Sequence, residues 1–222
     1  MSPEARTHPV LLGKPTAFMS EHTAEYALVS DLISALEPSF SWVIPLYFWS
    51  TREGSRAATN SFDGHPLRLM GVYARRPKIL GSKNQSILVK VNRELFSAAR
   101  MGLAIGIPVL IGVPLVASLE DFSIHCPCAL FHLRPHTGTE DDYLFELRLP
   151  EGSPIQQLDQ RLAGPLDHTD VVQLLLSQGR QMSWEIAVEK MREMRSSSLV
   201  PSPFGGGYRP FFVVVPGEES NE

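Results

Sequence analysis

ILVKVN, Ile87 to Asn92, sets one lysine inside a run that otherwise reads as a buried strand. Side chains alternate along a strand, so Ile87, Val89 and Val91 share one side, and Leu88, Lys90 and Asn92 the other. An ammonium on that second side must reach solvent along its stem, lose its charge by desolvation, or meet an anion. The plain reading is a lysine snorkelling from a strand end. The functional reading is a lysine that faces a phosphate or a carboxylate.

The charge around this run favours an anionic partner. From Arg52 to Arg100 there are ten Lys/Arg against three acids, so the segment carries +7 within a 222-residue chain of net charge -4. A local positive field on an otherwise acidic protein suits DNA, RNA or another phosphate polyanion held at one place. Arg52, Arg56, Arg75, Arg76 and Lys78 are the candidate contacts. The competing reading is that these charges face different directions and solvate loops and strand edges.

A composition that is 43% hydrophobic is enough for one substantial core. The expectation is one α/β domain over residues 20–216, preceded by an arm at 1–19 and followed by an acidic tail at 217–222. The two cysteines, Cys126 and Cys128, lie in HCPC, too close for an ordinary structural disulfide and too few for a secreted scaffold. A reducing cytoplasm fits them. The first residues lack a basic stretch followed by a long apolar one, so no signal peptide is expected. GLAIGIPVLIGVPLVASL is interrupted by Pro108 and Pro114 and falls short of a membrane span.

Periodicity places the elements. Ala24, Ala27, Leu28, Leu32, Ala35 and Leu36 recur at helical spacing after Ser20 or Thr23 as cap, until Pro38. WVIPLYFW, 42 to 49, reads as a strand in which Pro45 points to a sheet edge. STREGSRAATNSFDGH is a long loop with too few large apolar residues for a core-facing helix. A strand from Pro66 and then ILVKVN complete an expected three-strand meander over residues 42 to 92. Asn92 starts a helix whose inward stripe is Leu95, Ala98, Ala99, Gly102 and Leu103, with Gly106 as its stop. IPVLIGVP reads as a strand buried on both faces in a parallel pairing. CALFHLRP and DDYLFELRLP read as a hairpin, DVVQLLLSQ and SWEIAVEKMREM as two helices parted at Gly179, and YRPFFVVVP as a last strand.

Helix, three-strand meander, helix, strand is an order that resembles the core of the PD-(D/E)xK, or restriction-endonuclease-like, nuclease superfamily over about residues 20 to 115. The implied fold is a mixed central sheet flanked by helices, with a C-terminal hairpin and two helices. The resemblance implies a metal-dependent nuclease or a degenerate relative that binds nucleic acid without cleaving it. In that superfamily carboxylates hold Mg²⁺, which offsets charge developing on phosphate, and a lysine acts on the attacking water. Carried over by position, Lys90 is the lysine, Asp63 the acid ahead of the second strand, and Glu25 the glutamate of the first helix. Leu88 stands where the motif has its second acid, so Glu94, one turn into the next helix, would supply that carboxylate.

Three other readings draw on the same residues. RELFSAARMGLAIGIPVLIGVP also resembles the later half of Rossmann-like nucleotide-processing folds such as TIR domains and nucleoside deoxyribosyltransferases, with Glu94 as the carboxylate facing a ribose. Cys126, Cys128, His132 and His136 form a zinc-ligand set, against which stands the commoner reading of buried thiols in a hairpin. The last reading is a protein-protein interaction or assembly module with no catalysis.

Overall fold

The computed structural model describes residues 21–47, 62, 65–75, 78–79, 86–91, 93–114, 128–134, 143–148, 156–157, 161–197 and 211–217. The elements are α1 (Glu21–Leu36), β1 (Ile44–Tyr47), β2 (Leu67–Ala74), β3 (Lys78–Ile79), β4 (Ser86–Val91) and α2 (Arg93–Ile105). They continue as β5 (Val109–Pro114), β6 (Cys128–Leu133), β7 (Tyr143–Arg148), β8 (Gln156–Gln157), β9 (Leu162–Ala163), α3 (His168–Gln178), α4 (Trp184–Ser197) and β10 (Phe211–Pro216). None of the described helices is long and apolar enough to cross a membrane.

The strands form two sheets. Six of them run in the order β1-β10-β2-β5-β6-β9, and β3-β4-β7-β8 form the other. Among the described strands of the larger sheet only β2 and β5 are parallel, with Gly71 opposite Val109 and Ala74 opposite Gly112. The continuous apolar character of VLIGVP has its cause here, because β5 is covered on both faces. Its Ile111 and Val113 join one core with α2 and α4, and its Leu110 joins another with α1 and α3. The smaller sheet is antiparallel throughout and lends Val89, Val91 and Leu147 to the first of these cores.

Two expectations about pairing are corrected. Residues 42 to 92 do not form a meander, since β10 lies between β1 and β2, and β4 lies in the smaller sheet. Both edges of β2 are occupied, by β10 and β5, which leaves no edge for ILVKV. The expected hairpin of CALFHL and YLFELR is likewise absent, because β6 pairs with β5 and β9 while β7 pairs with β4 and β8. The edge position of the Pro45 strand, the parallel pairing of IPVLIGVP and the final apolar strand match the expectation. The stretch 50–65 lies outside the described residues apart from Phe62, whose ring packs against Trp42 and Trp184.

Local chemistry sets the helix ends. Leu28, Leu32 and Leu36 recur every four residues on the buried side of α1, and a Cβ on Gly112 would strike the Leu28 side chain, so the glycine is what lets α1 lie close on β5. α2 ends in a Schellman turn: the Ile107 N–H donates to Gly102 O at 2.7 Å and the Gly106 N–H to Leu103 O at 3.3 Å. Gly106 has φ 76°, and any Cβ there would collide with Arg180. α3 opens on a capping box in which Asp167 accepts from the Asp170 N–H at 2.8 Å and Asp170 accepts from the Asp167 N–H at 3.1 Å.

Arg68 in β2 ties three pieces of chain together. Its Nε donates to Gly217 O at 3.0 Å, and its Nη1 donates to Leu176 O at 3.3 Å and to Gly179 O, the open carbonyls at the end of α3. Gly217, which the sequence reading assigned to the tail, also donates its N–H to Pro66 O at 2.7 Å and accepts from Gln181 Nε2 at 2.6 Å. Arg68→Ala is expected to lower stability by about 2–4 kcal/mol in urea denaturation, since several charge-assisted bonds to half-buried carbonyls are lost together. Arg68→Lys should recover only part of that, because one ammonium does not span the separated acceptors.

Candidate functional site

Lys90 stands exposed on β4 between Val89 and Val91, both of which are 0% exposed. β4 is therefore covered on its Val89 side, whereas on the other side Leu88 is half-buried and Lys90 is exposed. Register identifies the positions on the Lys90 side: Lys78 pairs with Leu88, Leu88 with Glu146, Lys90 with Leu144, and Ser86 with Arg148. Cross-strand partners share a face. Lys78, Lys90 and Arg148 thus occupy positions on one side of one sheet, with Glu146 as the acid among them.

Arg75 behaves in the opposite way. It follows β2 directly, its N–H donates to Gly112 O at 2.8 Å, and it is 3% exposed. A guanidinium that deep does not belong to an open basic face, so Arg75 is set apart from Lys90. Arg68 is committed to the carbonyls described above. Arg100 is exposed on α2. Arg52, Arg56 and Arg76 lie outside the described residues. The described basic residues therefore divide among different faces, and the register sets Lys78, Lys90 and Arg148 at positions on one side of the smaller sheet.

Two of the acids expected around Lys90, Glu25 and Glu94, are carried by helices in separate layers. α1, which carries Glu25, covers the sheet face to which Leu110 points, whereas α2, which carries Glu94, covers the face to which Ile111 points. The α2 chain runs back along the sheet to the Gly106 turn that feeds β5, so its first turn stands level with the carboxyl end of β5. Glu25 is carried by α1, which packs on the other face, and Asp63 lies outside the described residues. Among the described residues no three His, Cys, Asp or Glu side chains come together as a metal-binding group. Leu88 stands in place of the motif acid, and Glu25 and Glu94 are carried by helices over opposite faces of the larger sheet.

The zinc reading meets a length constraint. Cys128 and His132 both lie in β6, four residues apart, which separates their Cα atoms by about 13 Å. Ligands of one zinc ion hold their donor atoms about 2.0–2.3 Å from it, a short reach against that separation. Cys126 and His136 lie outside the described residues.

His132 has another character that its sequence context, CALFHL, does not single out. It is 9% exposed in a strand whose Leu130, Phe131 and Leu133 are buried, and burial, aided by the nearby Arg134 charge, lowers its pKa from 6.5 to about 4. The fold thus holds the imidazole neutral. Because the unfolded chain takes up the proton first, the neutral-His contribution is intact above about pH 6.5 and is lost as pH falls toward 4. Denaturation at pH 7 and pH 5 should show His132→Leu losing less stability on acidification than wild type, by about 2 kcal/mol; equal losses would show that His132 is not desolvated. No protein-family model, no curated protein and no solved structure matches this chain.

Proposed function

We propose that this protein binds a phosphate polyanion, a nucleic acid, on the open side of its smaller sheet and does not cleave it. The observation that carries the reading is Lys90: an exposed lysine on a strand whose flanking residues, Val89 and Val91, are fully buried. A rigid strand holds such an ammonium at a fixed place, and the register puts Lys78 and Arg148 on the same side. Antiparallel strands with one open face are a recurrent platform for nucleic acid. The non-cleaving form of the nuclease-like reading is supported by Leu88, which leaves Lys90 without the carboxylate two residues before it. The other form, a metal-dependent nuclease using Asp63 and Glu94, requires carboxylates brought to Lys90 from other elements.

Fluorescence anisotropy with single-stranded and double-stranded oligonucleotides at rising salt tests this. Log affinity should fall linearly with log salt as counterions leave the phosphates. Lys90→Glu should weaken binding to unrelated sequences alike, by about 3- to 10-fold, and flatten the salt slope by about 1. Its unfolding free energy should stay within about 0.5 kcal/mol of wild type, because the site is exposed. Absence of binding at low salt, or binding indifferent to Lys90→Glu, contradicts the proposal. Cleavage in Mg²⁺ or Mn²⁺ that Lys90→Ala abolishes would restore the nuclease form.

A second reading, an assembly module, is favoured by a different observation. Leu103 on α2 and Ile186 on α4 are large apolar residues that stand 56% and 47% exposed.

A further inference from the structure

We draw no further inference here: the strongest candidate, the surface of the α2 and α4 helix layer where the apolar Leu103 and Ile186 stand exposed, carries none because nothing in the structure shows what covers it.

Discussion

The central strands of the larger sheet are buried on both sides, and the rest of the architecture follows from that constraint. Leu69, Met70, Val72 and Tyr73 of β2, Val109 to Val113 of β5, and Phe211 to Val215 of β10 have almost no exposed surface. A strand in that position has no place for an ammonium, since desolvating an unpaired charge costs several kcal/mol. SILVKV carries Lys90 and is therefore suited to a sheet with one wet face. Pairing with YLFELR, where Glu146 and Arg148 alternate with apolar residues, gives it one. Val89 and Val91 still reach the common core from there.

Once β4 lies outside the larger sheet, the chain must return to it, and α2 with its glycine turn makes that return. Gly102 lies so close to the Ile107 carbonyl that a Cβ would strike it, and Gly106 takes the left-handed conformation that reverses the chain. β5 then enters beside β2 in parallel. Arg68 fixes the opposite side of the same strand, holding the end of α3 and the chain beyond β10. Both faces of β2 are thus tied to their covering layers, one by packing and one by charge-assisted bonds.

Local elements were legible in the sequence, and strand partners were not. Helical spacing and punctuation located α1, α2, α3 and α4, and Pro45 correctly marked an edge strand. That β10 inserts between β1 and β2 has no local signal, because apolar side chains specify burial and say nothing of which strand lies alongside. The false hairpin was more instructive. In CALFHL, Ala129 to Leu133 are all buried, as befits a strand covered on both sides, whereas YLFELR alternates, so the two patterns already belonged to different sheets. The candidate site divides in the same way. Lys90 and Arg75 are both basic residues near strand ends, yet one is exposed and the other 3% exposed. The side on which a strand is covered separates them, and that depends on partners distant in sequence.

The central claim is that β4 leaves β2 and pairs with β7 so that Lys90 faces outward. Nuclear Overhauser contacts between backbone protons test it without reference to any function. The account predicts cross-strand contacts linking Val89 with Phe145 and Lys90 with Leu144, and none linking β4 with β2. Contacts between β4 and β2 would place Lys90 in the doubly covered sheet and contradict it.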